Sequence, residues 1–242
     1  MRLAILSDIH SNLEALDAVL AAADEQGCER ILALGDIVGY GADPDAVVAR
    51  LRERNAITIA GNHDLAATGG FDVRWFNASA SAAIAWTQGV MTDETKTFLQ
   101  SLSPKHESDH GLLVHGSVRD PVAEYLLAAD DAAVSFELEQ FAIAFFGHTH
   151  LPTIFRRAPD GHVRGWVLSP GEEVLLSRDD RYMLNPGSVG QPRDKDPRAA
   201  FLVYEEGRAV AHRVVYPIDA AATKIRDAGL PEWLADRLTL GE

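Results

Sequence analysis

The run LAILSDIH at residues 3–10 joins a short apolar stretch to an aspartate and a histidine two positions apart. Four consecutive apolar residues, Leu3–Leu6, are typical of a strand that is buried on both faces. In an open α/β sheet, ligands and catalytic groups converge at the carboxyl ends of the strands. Asp8 and His10, which follow the strand and face the same side of an extended chain, are therefore candidates for a functional site at the edge of a sheet.

The same arrangement recurs four times farther along the chain. Each time a short apolar run ends in Asp, Asn or His beside glycine or another such residue: GD at 35–36, GNHD at 61–64, HG at 115–116 and GHTH at 147–150. A single histidine after an apolar run is more often a hydrogen-bonded structural residue. Seven such side chains make one shared site the better interpretation: Asp8, His10, Asp36, Asn62, His115, His148 and His150.

These oxygen and nitrogen donors suit a divalent first-row metal ion. Seven donors can hold two ions, and two ions about 3.5–4 Å apart are a standard means of hydrolysing a phosphate ester. The pattern therefore predicts two divalent metal ions as cofactors. Manganese is the leading candidate, and the mixed donor set would also accept iron, nickel, cobalt or zinc.

The overall composition restricts the partners. The chain has 242 residues and a formal net charge of -14, and this acidity argues against broad binding to a nucleic-acid backbone. A small phosphorylated substrate is still compatible, because bound metal ions dominate the local field. The oligomeric state is left open.

Apolar runs and cysteine content bear on location. The first apolar stretch is too short for a signal sequence, and no later run approaches the length of a membrane span. Cys28 is the single cysteine, so no intrachain disulfide can form, which fits a cytoplasmic protein. We expect no association with membranes.

The periodicity of the chain predicts one domain over residues 1–242. Its first third alternates strands with helices, which favours parallel strands and right-handed crossovers. A helical insertion is expected at about 65–103, helical material at about 123–138, and closing helices at 218–228 and 232–238. The pattern favours two packed sheets flanked by helices. Strands in the last third are predicted at 153–157, 163–168, 174–176, 182–184, 200–204 and 210–215.

The five motif blocks together resemble the calcineurin-like metallophosphoesterase superfamily, whose pattern is D-x-H, G-D, G-N-H-[DE], H and G-H-x-H. All five blocks occur in order between residues 8 and 150. GYG at 39–41 and NPGSVG at 185–190 resemble a bacterial single-domain branch that contains phosphodiesterases and phosphatases. The resemblance implies an α/β fold, a four-layer α/β-β-α sandwich with two mixed β-sheets flanked by helices.

The resemblance also implies a role for each side chain, with a hydroxide that bridges the two ions attacking the phosphate. Asp36 would bridge the ions. His63 would protonate the leaving-group oxygen or stabilise its charge, and Asp64 would either orient His63 or cap a helix. The first ion would be bound by Asp8, His10, Asp36 and His150, and the second by Asp36, Asn62, His115 and His148.

One departure from the pattern bears on the substrate. Protein phosphatases of this superfamily carry Asp-Arg-Gly soon after the Gly-Asp block, whereas here Gly35-Asp36 continues as IVGYG. Since the phosphate-gripping arginine is missing, we favour a small phosphodiester of the cyclic nucleotide or dinucleotide type. Two alternatives stay open, a phosphomonoesterase acting on a nucleotide or phosphoprotein, and a non-catalytic metal-binding scaffold.

Three residues are weaker candidates for substrate binding. Tyr40 could line the cleft or pack in a turn. Trp75, with Phe71 and Phe76, could form a lid over the metal ions, although a small satellite core is the favoured interpretation. Arg193 could contact phosphate or lie on the surface.

Overall fold

The computed structural model describes residues 1–242, and its twelve strands form two six-stranded sheets. The first sheet has the order β3-β2-β1-β11-β12-β9, in which β1, β2 and β3 are parallel and β11 is antiparallel to β1. Its strands are β1 (Arg2–Leu6), β2 (Arg30–Ala33), β3 (Ile57–Thr58), β9 (Glu173–Leu175), β11 (Ala199–Glu205) and β12 (Arg208–Val214).

The second sheet has the order β4-β5-β6-β10-β7-β8. Strands β5, β6 and β10 are parallel, and β7 is antiparallel to β10. Its strands are β4 (Lys105–Ser108), β5 (Gly111–Val114), β6 (Ile143–Phe145), β7 (Pro152–Arg157), β8 (Val163–Val167) and β10 (Arg181–Pro186). Both sheets are therefore mixed.

Eight helices accompany the sheets, and none is long and apolar enough to cross a membrane. Some begin at a side-chain cap, such as Asn12, whose side chain accepts a hydrogen bond from the Ala15 amide at 3.1 Å. The helices are α1 (Leu13–Glu25), α2 (Pro44–Glu53), α3 (Asn62–Ala67), α4 (Ala78–Val90), α5 (Asp93–Gln100), α6 (Ala129–Leu138), α7 (Ile218–Asp227) and α8 (Glu232–Leu240).

Strand β1 shows how the sequence produces the layers. Leu3 and Ile5 point into the core between the two sheets, while Ala4 and Leu6 join the core beneath the helices of the first sheet. A third core lies on the other face of the second sheet, where Phe136 of α6 packs with strand residues. Three apolar layers separate four layers of backbone, which confirms the predicted α/β-β-α sandwich.

Three local features differ from what the apolar pattern indicates. The polar segment Lys105–Ser108 forms β4, which was not predicted because an edge strand paired with β5 needs no apolar pattern. Of the mostly apolar run at residues 56–60, only Ile57 and Thr58 form a strand, β3. Helix α6 begins at Ala129, not near Ala123, because the Asp131 carboxylate accepts the Ala128 amide at 3.0 Å and caps the helix there.

The segment at residues 65–103 contains α4, α5 and a short 3₁₀ turn at Val73–Trp75. Helix α4 packs against α3, the helix that carries Asn62 and His63. This contact brings the segment to the same edge of the sheets as the candidate residues.

Candidate metal centre

The predicted residues meet at the carboxyl ends of parallel strands from both sheets. Asp8 and His10 follow β1, Asp36 follows β2, and His115 follows β5. Nine residues other than glycine have positive φ, a conformation that is rare for such residues. Seven of the nine lie at this edge: Asp8, His10, Ser11, Asp36, Tyr40, His148 and His150. Such strain clusters at sites whose geometry the surrounding structure enforces.

Four buried side chains form a first donor group: Asp8, His10, Asp36 and His150. One ligand atom from each lies within 4.8 Å of all the others. The Nε2 atoms of His10 and His150 are 3.2 Å apart. His10 Nε2 is also 3.6 Å from Asp36 Oδ2, and His150 Nε2 is 3.4 Å from Asp8 Oδ1.

Asp36, His115 and His148 form a second buried donor group. His115 Nε2 lies 3.4 Å from Asp36 Oδ2 and 3.2 Å from His148 Nδ1. Asn62 adds its Oδ1 atom at 3.2 Å from His115 Nε2. Asp36 belongs to both groups, and a carboxylate has enough lone pairs to bridge two cations.

The outer ring nitrogens of these histidines face main-chain carbonyls. Nδ1 of His10 donates to Val38 at 3.2 Å, and Nδ1 of His115 donates to Leu34 at 2.7 Å. Nδ1 of His150 likewise donates to the Gln191 carbonyl at 2.6 Å. Because a carbonyl can only accept, each Nδ1 carries the proton and each Nε2 presents a lone pair to the centre.

His148 has the opposite orientation with the same result. Its Nε2 donates to the Ala123 carbonyl at 3.0 Å, so its Nδ1 lone pair faces the centre. When the rings are neutral, four imidazole lone pairs therefore point inward, and the buried Asp8 Oδ2 has no hydrogen-bond partner. These inward-facing acceptor atoms lack hydrogen-bond donors among themselves, so the set is suited to bind cations.

Burial keeps most of these rings neutral. It lowers the pKa of His10 well below the ordinary value and the pKa of His148 to about 3. Burial also lowers the pKa of His115, but the Asp36 carboxylate outweighs it and raises this pKa to about 9. Asp36 thus favours a positive charge beside His115 Nε2, and a bound metal ion would provide that charge.

Gly61 allows Asp36 to approach α3 closely. A Cβ atom at Gly61 would collide with the Asp36 carboxylate. Because Gly61 has no side chain, the Asp36 carboxylate comes close enough for its Oδ1 to accept a hydrogen bond from the His63 amide at 2.9 Å. The glycine in the GNHD block thus fixes the bridging carboxylate and the start of α3 relative to each other.

Asp64 does not orient His63 through a hydrogen bond, so that predicted role is wrong. Its Oδ1 accepts the amides of Ile37 and Val38 at 2.9 and 3.0 Å, and its Oδ2 accepts the Gly61 amide at 2.9 Å. The Nδ1 atom of His63 is buried without a partner. Asp64 ties the loop after β2 to α3, as the helix-cap alternative implies.

His63 belongs to neither donor group but lines the cavity above them. Its ring packs against Tyr40 and Phe76, with ring centroids 4.5 and 4.7 Å away. Burial lowers its pKa to about 4. It is therefore a neutral imidazole that is held by aromatic packing beside the metal-type ligands.

The three weaker candidates also line this cavity, whose volume is about 260 Å³. Tyr40 is buried and packs 4.6 Å from the His10 ring. Trp75 is 81% exposed, so the favoured expectation of a satellite core is wrong for this residue, although Phe71 and Phe76 do pack against the core. Arg193 is half-buried in the cavity wall and does not lie on the open surface.

The cavity residues that the sequence did not point to include Tyr125 and Arg237. The Tyr125 ring stacks on His148 at 3.9 Å. Arg237 comes from α8, far from every motif block. No local pattern marks either residue, because only the tertiary fold brings it to the centre.

The loop NPGSVG joins the second sheet to the centre. Asn185 donates through Nδ2 to the Gly147 carbonyl at 2.8 Å, and Ser188 donates through Oγ to the Asp8 carbonyl at 2.8 Å. These bonds fix the loops that carry Asp8 and His148. A larger cavity, of about 780 Å³, lies at the opposite ends of β5, β6 and β10 and contains neither donor group.

Known proteins resemble this chain over most of its length. The family model of the calcineurin-like phosphoesterase superfamily domain matches residues 1–207. An uncharacterized protein of Methanocaldococcus jannaschii, MJ0912, is 38% identical over 99% of this chain and 98% of its own length. Phosphodiesterase YfcE of Escherichia coli K12 is 26% identical over 81% of this chain and 84% of its own length.

Solved structures agree with this assignment. The crystal structure of a metallophosphoesterase from Sphaerobacter thermophilus has a TM-score of 0.89 and 38% identity, and each chain is covered in full. The hypothetical protein PH1004 from Pyrococcus horikoshii OT3, at 18% identity, shares the fold with a TM-score of 0.81 over 100% of this chain and 98% of its own. This chain belongs to the calcineurin-like phosphoesterase superfamily.

Proposed function

We propose that this protein is a hydrolase that cleaves a small phosphodiester of the cyclic nucleotide or dinucleotide type. Two divalent metal ions, manganese in the first instance, would be its cofactors. Asp8, His10, Asp36 and His150 would hold one ion, and Asp36, Asn62, His115 and His148 the other.

The position of Asp36 in both donor groups carries the proposal. Two separate mononuclear sites would not need to share a carboxylate. A carboxylate shared by both donor groups is the ligand that would bridge two adjacent ions. Two bound ions would supply a nucleophile from water near neutral pH and offset charge on the phosphate oxygens. The chain contributes a rigid, buried frame that holds their ligands.

His63 would act on the leaving group. It lines the cavity, is not one of the grouped ligands and is neutral. As a neutral ring it still has one N–H group that can donate a hydrogen bond to the leaving oxygen. An anionic phosphate beside it would raise its pKa and favour proton transfer.

Two observations support a diester. The phosphate-gripping arginine that would follow Asp36 in a protein phosphatase is absent. The relative YfcE is named a phosphodiesterase.

The exposed ring of Trp75 at the mouth of the cavity could stack on a base or aryl group next to the phosphate.

The direct experiment is an assay of chelator-treated protein with bis-p-nitrophenyl phosphate and p-nitrophenyl phosphate, each with and without added manganese. We expect manganese-dependent turnover, faster with the diester. Faster turnover of the monoester would select the phosphomonoesterase alternative. Metal binding without turnover of either compound would contradict the proposal and support a scaffold.

A further inference from the structure

Two arginines from distant parts of the chain line the same cavity. Arg193 lies in the loop after β10, and Arg237 lies on α8. Tyr40 connects Arg193 to the metal centre, since its ring is 4.6 Å from the His10 ring and 5.9 Å from the guanidinium carbon of Arg193. Arg237 lines the same cavity as Asp36 and His150. The two cations therefore lie beside the donor groups.

Neither guanidinium forms an ion pair with an acidic side chain. Arg193 donates through Nη2 to Gln191 Oε1 at 3.0 Å, and its Nε is buried without a partner. Arg237 donates through Nε to the main-chain oxygen of Glu242. The chain has 36 acidic and 22 basic residues, so acidic partners are abundant, and the nearby Arg198 has one in Asp196.

Two cations on the wall of one cavity, neither of them ion-paired to an acidic side chain, repel each other, and this repulsion costs free energy in the protein alone. Burial, and next the charge of Arg193, lower the pKa of Arg237 to about 10, against opposing effects of Tyr40 and Glu242. An anion placed between the two side chains would remove this repulsion. Guanidinium groups offer paired N–H donors in the geometry that phosphate oxygens accept.

We propose that Arg193 and Arg237 form a second anion subsite that binds a phosphate group of the substrate other than the one cleaved at the metal centre. This inference rests on the proposed function and narrows it. The substrate would be a phosphodiester that also carries a terminal phosphate, such as a 5′-phosphorylated dinucleotide. A cyclic mononucleotide, which has one phosphate, would leave this subsite empty.

The test compares two nucleotides that differ by one phosphate, thymidine 3′,5′-bisphosphate and thymidine 5′-monophosphate. Binding of each to the manganese-loaded protein is measured by titration calorimetry. We expect the bisphosphate to bind at least tenfold more tightly, and this preference to fall below threefold in Arg193→Gln and in Arg237→Gln. The control variant Arg178→Gln, at an exposed arginine on the larger cavity, should keep the full preference.

Three results would overturn the subsite. The wild-type protein could show no preference, or the preference could survive in either glutamine variant. Both ligands could also lose affinity equally, which would mean that the arginines hold the phosphate at the metal centre. Arg237→Lys, which retains a cation, should keep more of the preference than Arg237→Gln if the latter folds poorly.

Failure of the subsite and failure of the proposed function can be separated. Turnover of bis-p-nitrophenyl phosphate tests the hydrolase, and it does not depend on a second phosphate. Calorimetry tests the arginines even if no diester is cleaved. In a hydrolysis experiment, 5′-phosphorylated dithymidine should be cleaved with a kcat/KM at least tenfold above that of the unphosphorylated dinucleotide.

Discussion

The Nε2 atoms of His10 and His150 face each other at 3.2 Å, although each ring has its proton on the other nitrogen. Two lone pairs at this distance repel each other unless a cation lies between or beside them. The carbonyls of Val38 and Gln191 therefore set the tautomers that a metal ion requires. Main-chain atoms, and not further side chains, prepare these two ligands.

The first prediction concerns Asp36→Asn. The bound metal per chain should fall for both donor groups, because the substitution removes the negative charge shared by them. Turnover should fall by more than about 100-fold, since changes in outer partners alone cost about 10–100-fold. Elemental analysis of the dialysed protein measures the metal content. Retention of two ions per chain would contradict the bridging role.

His63→Asn should separate chemistry from metal binding. We expect unchanged metal content and a kcat lower by about 10²–10⁴-fold, the usual contribution of acid–base catalysis. The activity assay and elemental analysis are made on the same sample. An equal loss of metal and activity would show instead that His63 is needed to form the metal centre.

Asp64→Asn should act mainly on stability. The amide group would place a donor against at least one of the amides that the carboxylate now accepts, from Ile37, Val38 and Gly61. We expect a loss of about 1–3 kcal/mol in the free energy of unfolding, measured with urea. The kcat should fall less than in His63→Asn. A comparable fall in kcat without loss of stability would restore the orienting role.

Trp75→Ala should change substrate binding and leave stability nearly constant. Because the side chain is 81% exposed, the free energy of unfolding should change by less than about 0.5 kcal/mol. The KM for bis-p-nitrophenyl phosphate should rise about fivefold or more if the ring stacks on the aryl group. Trp86, which packs against the core, is the matched control, and Trp86→Ala should lower the melting temperature with little effect on KM.

Cys28 should be an unreactive thiol. Burial raises its pKa to about 11, against an opposing effect of Arg2. Since only the thiolate reacts, alkylation by iodoacetamide at pH 8 should be about 100-fold slower than for a thiol with the ordinary pKa of 9.0. Unfolded protein should react at the ordinary rate, and equal rates for both forms would contradict this account.

The motif blocks could be predicted to meet because each follows an apolar run, and carboxyl ends of parallel strands share one edge. Edge strand β4 and the start of α6 could not be predicted, since polar pairing and a side-chain cap leave no periodic apolar pattern. The position of Arg237 could not be predicted for a different reason. Nothing near it in sequence indicates that α8 places this residue in the same cavity as Tyr40 and Arg193.

The sequence left open whether Trp75 forms a lid or belongs to a satellite core, and this ambiguity has a physical origin. Phe71, Trp75 and Phe76 are equally apolar in sequence, and a cluster of aromatic residues usually packs together. In the structure Phe71 and Phe76 pack against each other at 5.7 Å, while Trp75 remains exposed. Sequence composition alone cannot separate neighbours whose environments differ in this way. The single domain, the cytoplasmic location and the identity of the metal stay predictions.

The positive φ angles at Asp8, His10, Asp36, His148 and His150 have a consequence for the evolution of this protein. Glycine would relieve the backbone at each position, yet glycine has no donor atom to offer. Selection for heat resistance of the metal-free protein would therefore favour losing these ligands, and selection for hydrolysis would favour keeping them. A laboratory library screened for thermal tolerance in the presence of a chelator should accumulate substitutions at this edge of the sheets and lose activity as it gains stability.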